Sequence, residues 1–290
     1  MKLTIFPFTF LSFFLLPLLV SASHGEFKKR QIGSARQATT AEVEELMFYS
    51  SLSADVYCPA VVPGGTWICP NCAKARHLEI VDTFTTIAYD TNVLVARGDT
   101  DKTIYVVFRG SVSLQNWLAD LTAIPVPYSG VTGATVHVGF LQSYKDVQKK
   151  LIELVNKELV AHPGYTVAVS GHSLGGATAL LCALDLYEQG VNVKLYTQGQ
   201  PRTGNKKFAE YVVKTGIPYK RAVHASDPVP HVPDTLLGFY HAGEEFWDNR
   251  LRVVACPNGL ETNYCSGSLG VGLIFTDHTS YFGMSTGICL

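Results

Sequence analysis

Ser173 stands between two glycines in residues 171–175, which read GHSLG. The β-branched run at residues 167–169 predicts a short buried strand before it, and the small residues at 177–181 predict a helix after it. A G-x-S-x-G motif between a strand and a helix makes a sharp turn that exposes the serine hydroxyl at the helix N-terminus. The motif alone also fits an incidental serine in a glycine-rich turn, but this setting favours a nucleophile.

A nucleophilic serine needs a base, and the base needs a carboxylate to orient it. In α/β-hydrolases these partners follow the serine in the order acid, then histidine. Asp227 ends the predicted strand YKRAVHAS before a stiff proline loop, and His278 lies near the C-terminus in FTDHTSYF. We therefore predict Asp227 as the acid and His278 as the base. The rivals are Asp234, Asp248 and Asp277 for the acid, and His224, His231 and His241 for the base.

Acyl transfer also needs hydrogen-bond donors for the oxyanion of the tetrahedral intermediate. One donor is normally the backbone N–H that follows the nucleophile, which here belongs to Leu174. The second should come from an early loop between a strand and a helix. The stretch VVFRGS places Ser111 in such a loop, where it offers both an N–H and a hydroxyl.

Residues 113–121, SLQNWLADL, follow the predicted oxyanion residue directly. Their apolar side chains have the i, i+3, i+4, i+7 spacing of one helical face: Leu114, Trp117, Leu118 and Leu121. An ordinary core helix has the same spacing. The position favours a lid that covers Ser173 in water and turns its apolar face to lipid. Asp120 is close enough in sequence to hold the Ser111 hydroxyl when the lid opens.

Strands and helices alternate along the chain, which predicts an α/β fold with a mostly parallel sheet. Active residues of such sheets lie at the carboxyl ends of the strands. Thr39 and Glu42 have the spacing of a capping box and start the first predicted helix. The predicted strands cover residues 84–90, 92–99, 103–110, 193–199 and 219–227, and a long amphipathic helix covers residues 143–164.

The N-terminus reads as a targeting segment. An apolar run at residues 3–20 follows Met1 and Lys2, and small residues up to Ala22 predict a signal peptide at residues 1–22. A membrane anchor is the alternative, but two prolines within the run weaken a spanning helix. FKKR at residues 27–30 predicts a propeptide at residues 23–30, followed by a single domain at residues 31–290. The net charge of −1 gives no electrostatic case for binding nucleic acid.

The seven cysteines agree with a secreted protein. Cys182 lies within a predicted helix, where a cysteine is usually a small buried apolar residue. The other six could pair in 15 ways. The CPNC stretch at residues 69–72 could be a redox centre or half of a zinc site, but its loop setting favours a tight local disulfide.

Together these segments resemble the fungal triacylglycerol lipases of the Rhizomucor/Rhizopus type, also called class 3 lipases. The resemblance runs in family order from about Thr39 to Leu290, over TIYVVFRGS, NWLADL, VHVGFLQSY, VAVSGHSLGGATALLCALDLY, LYTQGQPRTGN, TGIPYKR, VPHVP and DHTSYFG. It implies an α/β-hydrolase fold and a carboxylic ester hydrolase, and with the predicted signal peptide we expect a secreted monomer without a transmembrane anchor in its mature form. That enzyme would cleave acylglycerol esters at a lipid–water interface through an acyl-enzyme, with no cofactor and no metal ion.

The resemblance also implies roles for individual residues. It gives the nucleophile, acid and base roles to Ser173, Asp227 and His278, and the oxyanion and lid roles to the residues named above. The disulfides that it implies are Cys58–Cys289, Cys69–Cys72 and Cys256–Cys265, which leave Cys182 free. The acyl-groove residues that it implies are Tyr57, Pro228, Val229, Val232 and Thr279.

Two positions depart from the family pattern. Thr279 follows His278 where these lipases usually have leucine, and Pro228 follows Asp227 where they usually have isoleucine. Feruloyl esterases of the same superfamily carry threonine beside the histidine, so an esterase of soluble esters is the alternative function. Their lid region is polar, however, whereas the predicted lid here is apolar. A catalytically inactive binding module is the least favoured alternative, because no triad member is missing.

Overall fold

The computed structural model describes residues 35–65, 67–111, 122–256, 259–262, 264–269 and 274–289. All of them belong to one unit, Gly33–Leu290. The predicted signal peptide and propeptide therefore lie outside the described residues. So do the predicted lid residues Leu114, Trp117, Leu118, Asp120 and Leu121.

A nine-stranded sheet forms the centre of the fold. The strands of the described chain are β1 (Arg36–Gln37), β2 (Glu79–Thr85), β3 (Asn92–Gly98), β4 (Thr103–Phe108), β5 (Pro125–Pro127), β6 (Thr135–His137), β7 (Thr166–His172), β8 (Val193–Gln198), β9 (Gly204–Asn205), β10 (Tyr219–His224), β11 (Phe239–Tyr240), β12 (Glu244–Asp248), β13 (Val253–Cys256), β14 (Ser280–Tyr281) and β15 (Met284–Ser285). The order in the large sheet is β1-β13-β12-β10-β8-β7-β4-β3-β2. Its five middle strands, β12 to β4, run parallel, and antiparallel strands extend both edges.

Helices cover both faces of this sheet. They are α1 (Thr40–Asp55), α2 (Val138–Ala161), α3 (Leu174–Glu188) and α4 (Lys206–Thr215) in the described chain. Successive residues of β4 point to opposite faces, so Val106 and Phe108 join the apolar core of α2, α3 and α4, while Tyr105 and Val107 join that of α1. The prediction of an α/β fold around a mostly parallel sheet is confirmed.

The local sequence signals of two elements had different outcomes. The first helix begins with the predicted capping box, in which the Thr39 hydroxyl accepts from Glu42 N–H and the Glu42 carboxylate accepts from Thr39 N–H. The strand predicted at residues 84–90 is wrong in position, because β2 ends at Thr85 and a turn follows. Ile87 in that turn is fully exposed, so this apolar residue does not mark a buried strand position.

Three disulfides join the cysteine pairs that the resemblance implies, Cys58–Cys289, Cys69–Cys72 and Cys256–Cys265. Cys182 is buried in α3 and is not bonded. No helix within the described ranges is long and apolar enough to cross a membrane.

The bond between Cys58 and Cys289 closes a loop of 231 residues, which ties the end of α1 to the C-terminus. We expect Cys58→Ser/Cys289→Ser to lower the free energy of unfolding by roughly 2–5 kcal/mol, because a long open loop adds entropy to the unfolded chain. Denaturant unfolding monitored by fluorescence measures the loss.

The matched control is Cys69→Ser/Cys72→Ser, which removes a disulfide that spans only three residues. Its entropic loss should be the smaller one, since the stabilisation grows with the length of the closed loop. An equal loss from both double variants would contradict the loop-length explanation.

Candidate active site

The turn between β7 and α3 carries Ser173 in a backbone conformation with φ 60° and ψ −131°. Non-glycine residues rarely adopt a positive φ, so the surroundings must fix this conformation. A Cβ on Gly171 would lie 2.3 Å from the Gly175 carbonyl oxygen, and one on Gly175 would lie 2.4 Å from that of Phe108. Both glycines are therefore required by close packing, and the turn that they permit aims Ser173 from the carboxyl end of a central strand.

Asp227 and His278 form a buried pair beside this turn. His278 Nδ1 lies 2.8 Å from Asp227 Oδ2, and both side chains are fully buried. A Cβ on Gly199, at the end of β8, would lie 2.7 Å from His278 Cε1 and 2.9 Å from Asp227 Oδ2. The absence of a side chain at Gly199 thus gives the pair its space.

Asp227 is held as a carboxylate by three donors. Besides the His278 ring, Val229 N–H donates to Oδ1 over 2.8 Å, and the Tyr281 hydroxyl donates to Oδ2. Burial alone would raise the pKa of Asp227, but the charge of His278 and these hydrogen bonds hold it below the ordinary value. Asp227 therefore stays ionised and can orient the His278 ring.

Two buried atoms at the centre of the site have no hydrogen-bond partner among the described residues. They are Ser173 Oγ and His278 Nε2, the two atoms that a serine nucleophile and its base would bring together. Such hydrogen bonds are often long in the absence of substrate and tighten when it binds.

The two predicted oxyanion residues flank the same turn. Leu174 is the first residue of α3, so its N–H has no carbonyl partner within the helix. Ser111 follows Gly110, and a Cβ on Gly110 would lie 3.0 Å from Ser173 Cβ. The loop after β4 therefore packs directly against the serine turn.

His172 belongs to the site, and sequence reasoning missed it. Its Nε2 lies 2.8 Å from the His278 carbonyl oxygen, which can only accept, so Nε2 carries the proton. Its Nδ1 therefore accepts from the Tyr57 hydroxyl over 3.0 Å, and that hydroxyl accepts from Gly110 N–H over 2.9 Å. This chain of hydrogen bonds connects the loop of Ser111 to the backbone of His278.

His172 remains neutral within this chain of hydrogen bonds. Burial, together with the smaller effect of the neighbouring His278, lowers the pKa of His172 to about 3. The signal available in the sequence was the histidine inside GHSLG, but its partners lie more than one hundred residues away along the chain.

The predicted acyl-groove residues occupy different surroundings. Tyr57 is half-buried with its hydroxyl on Gly110, and Val232 is also half-buried. Pro228 and Val229 are buried beside Asp227. Thr279 is exposed, and its hydroxyl donates to the Thr276 carbonyl oxygen over 3.2 Å.

The rival acids and histidines have other partners. Asp234 and Asp248 accept from backbone N–H groups two residues further on, and Asp277 pairs with the Arg250 guanidinium. Among the histidines, His241 Nε2 bonds the Pro230 carbonyl oxygen and His224 Nδ1 bonds that of Asp277. His231 is buried in a short 3-10 helix, Val229–His231.

Comparison with known proteins gives consistent matches. The sequence model of the family Lipase (class 3) matches residues 105–236. The chain is 54% identical over 265 residues to a lipase of Rhizomucor miehei, covering 89% of this chain and 73% of that one. It is 44% identical over 266 residues to a lipase of Rhizopus niveus, covering 89% of this chain and 68% of that one.

A solved triacylglycerol lipase, in which a serine protease triad forms the catalytic centre, is similar in structure. The TM-score is 0.85 at 53% sequence identity, and the match covers 88% of this chain and 100% of that one.

Tyr57→Phe tests the chain of hydrogen bonds through His172. The substitution removes the hydroxyl between Gly110 N–H and His172 Nδ1 and leaves both groups unpaired. We expect the free energy of unfolding to fall by about 1–3 kcal/mol, measured by denaturant titration.

Tyr165→Phe is the matched control, because it also removes a single tyrosine hydroxyl bond, here to the exposed Asp99 carboxylate. Water can replace that bond, so the loss should stay below about 0.5 kcal/mol. A Tyr57→Phe variant as stable as this control would show that the buried hydroxyl is not needed.

Proposed function

The chain belongs to the class 3 lipase family, and we propose that it is a secreted triacylglycerol lipase that cleaves carboxylic esters of acylglycerols at a lipid–water interface. The observation that carries the proposal is Ser173 on its positive-φ turn beside the buried His278–Asp227 pair. The serine protease triad of the similar triacylglycerol lipase supports it.

Acylation begins when His278 Nε2 takes the hydroxyl proton of Ser173 and Oγ attacks the ester carbonyl carbon. The carbonyl oxygen becomes an oxyanion, and the protonated histidine then gives its proton to the departing alcohol oxygen. Asp227 stabilises the imidazolium through Nδ1 and fixes the tautomer that leaves Nε2 free to accept. The products of this step are the released alcohol and an acyl group on Ser173.

Deacylation repeats the sequence with water. His278 takes a proton from a water molecule, whose oxygen attacks the acyl carbon, and the collapse of the second intermediate returns the proton to Ser173. In both intermediates the N–H of Leu174 and the N–H and hydroxyl of Ser111 are the proposed oxyanion donors. Each such donor contributes about 2.7–4 kcal/mol to the stability of the transition state.

The acyl chain would lie against the proposed groove residues. These are Tyr57, Pro228, Val229, Val232 and Thr279. Pro228, Val229 and Val232 closely follow Asp227 in the sequence, and Thr279 follows His278. The Tyr57 hydroxyl accepts from Gly110 N–H, and these positions support the assignment.

Exposed apolar side chains support action at a lipid surface. The β2–β3 turn and the β12–β13 turn both lie beyond the carboxyl ends of the parallel strands, at the end of the sheet that carries Ser173. Ile87 is fully exposed in the first turn, and Leu251 is 92% exposed in the second. Ile274 and Phe275, just before His278, are exposed as well. Exposed apolar side chains at the same end of the sheet as a hydrolytic site favour its adsorption to lipid.

The sequence alone supports the remaining proposals. A lid at residues 113–121 would place Leu114, Trp117, Leu118 and Leu121 over the groove in water, with Asp120 holding the Ser111 hydroxyl once the lid opens. Cleavage after Ala22 and after Arg30 would give the mature, monomeric enzyme at residues 31–290. N-terminal sequencing of the protein from culture medium tests the two cleavage sites.

Substitutions in the triad test the chemistry. Ser173→Ala removes the nucleophile, and Asp227→Asn offers an amide donor that selects the wrong histidine tautomer. We expect each to lower kcat on a soluble ester by about 10⁴-fold or more, since triad members act as a unit.

The control is Asp234→Asn, which changes a rival acid whose role is to cap a short 3-10 helix. Asparagine caps equally well, so activity and Tm should stay near those of the wild type. Near-normal turnover by Asp227→Asn would mean that another residue is the acid.

Ile87→Ser/Leu251→Ser tests the lipid surface. Loss of two exposed apolar side chains should weaken adsorption and lower hydrolysis of emulsified triglyceride at least about tenfold, because a fully buried side chain contributes about 1.5–3 kcal/mol and about 1.4 kcal/mol already corresponds to a tenfold change. Hydrolysis of a soluble short-chain ester should not change. The two rates are measured by titration of released acid, with ester concentrations on both sides of the solubility limit.

Val160→Ser is the matched control, because Val160 is 81% exposed near the end of α2, at the end of the sheet opposite Ser173. It should leave both rates unchanged. Saturation below the solubility limit with strong activity on feruloyl esters would favour the esterase alternative. Inactivity of the wild type on every ester would favour a binding module.

A further inference from the structure

The CPNC stretch lies against a buried carboxyl group that acyl transfer does not use. Asp55, the last residue of α1, is fully buried, and its Oδ1 lies 3.2 Å from Cys69 Sγ. Its Oδ2 has no hydrogen-bond partner among the described residues. One carboxyl oxygen and the sulfurs of Cys69 and Cys72 all lie within 4.8 Å of one another.

Asp55 can act as a proton donor. Burial raises the pKa of Asp55 to about 7, and no charged group in the part of the chain that the structure describes contributes to this shift. A sulfur in a disulfide has no hydrogen, so the carboxyl O–H is the donor in its contact with Cys69. Cys72 Sγ lies within 4.8 Å of the same carboxyl group, which can therefore protonate it once the bond between the two sulfurs breaks.

The two sulfurs differ in access. Cys69 is half-buried, whereas Cys72 is fully buried. A thiol from solution can therefore reach Cys69, and Cys72 is the sulfur that leaves. A buried thiolate in apolar surroundings is unfavourable, so the departing Cys72 needs a proton.

We propose that Cys69–Cys72 is a thiol-exchange site at which Asp55 gives its proton to the departing Cys72 sulfur. The co-reactant is a low-molecular-weight monothiol. Its thiolate attacks Cys69 Sγ, the bond between the two cysteines breaks, and a mixed disulfide forms on Cys69. The electron pair of the broken bond goes to Cys72 Sγ, which takes the Asp55 proton.

A second monothiol thiolate completes the exchange by attacking the monothiol sulfur of the mixed disulfide. Cys69 leaves as a thiolate and takes a proton from water, and Asp55 regains its own from solvent. Two monothiols are oxidised to their disulfide, and the protein disulfide is reduced to two thiols. This inference goes beyond the proposed ester hydrolysis and does not depend on it.

The test follows each disulfide of the folded, mature protein during incubation with glutathione. Samples are quenched by alkylation and mapped by mass spectrometry, with a chelator present so that freed thiols capture no metal. We expect Cys69–Cys72 to open at least about tenfold faster than Cys256–Cys265, whose rate is the internal reference for opening of the whole fold.

Asp55→Asn keeps the shape of the side chain and removes the acid. After division by the glutathione thiolate concentration, the wild type should open at least about tenfold faster than Asp55→Asn at pH 6, where Asp55 is protonated. At pH 8.5 Asp55 is ionised and the ratio should fall to about one or below. A structural effect of the substitution would change the rate by the same factor at both pH values.

Two results would overturn the proposal: Cys69–Cys72 opening no faster than Cys256–Cys265, or a ratio of wild type to Asp55→Asn that does not change with pH. If Asp55→Asn does not fold, the wild type carries the test alone. Its thiolate-normalised rate must then fall as the pH rises through about 7.

Discussion

The positive φ of Ser173 is the constraint on which the site depends. A non-glycine residue in such a conformation costs about 1–3 kcal/mol, so the surrounding structure must hold it there. On one side β7 pairs with β4 and β8, and on the other α3 packs on the same strands. The two missing Cβ atoms, at Gly171 and Gly175, let strand and helix approach closely enough to force the turn. Because the turn lies at the centre of the sheet, the packing of its neighbours stabilises the conformation that orients the Ser173 hydroxyl.

Two buried carboxyl groups show how local donors decide the state of an acid in this fold. Burial by itself raises the pKa of both Asp227 and Asp55. Asp227 receives three hydrogen bonds and lies beside a histidine, so its pKa falls below the ordinary value. Asp55 has no donor of this kind within the described chain, so its pKa rises to about 7. Burial therefore leaves Asp227 as a carboxylate beside His278. It leaves Asp55 as a neutral acid with its Oδ1 3.2 Å from Cys69 Sγ.

Local sequence signals predicted the elements better than the contacts between them. The α/β class, the capping box of α1 and the strand–turn–helix around Ser173 follow from periodicity and motif, which act over a few residues. Chain order was enough to predict Asp227 and His278, which the structure brings together. The bond of Tyr57 to His172 could not be predicted, because it joins residues 115 positions apart without a motif of its own. The same holds for Asp55 beside CPNC, where an isolated aspartate in a helix gives no sign of the disulfide next to it.

The position of His278 follows from contacts rather than from regular structure. It lies in a C-terminal segment whose described strands are only two residues long, so no ladder of hydrogen bonds aligns its backbone. Its carbonyl oxygen instead accepts from the His172 ring over 2.8 Å and from the Thr286 hydroxyl over 3.2 Å. The segment ends at Cys289, which is bonded to Cys58 just after α1. His278, the proposed base, is thus the last of the three proposed triad residues in the chain, and contacts with earlier parts of the chain hold it in place.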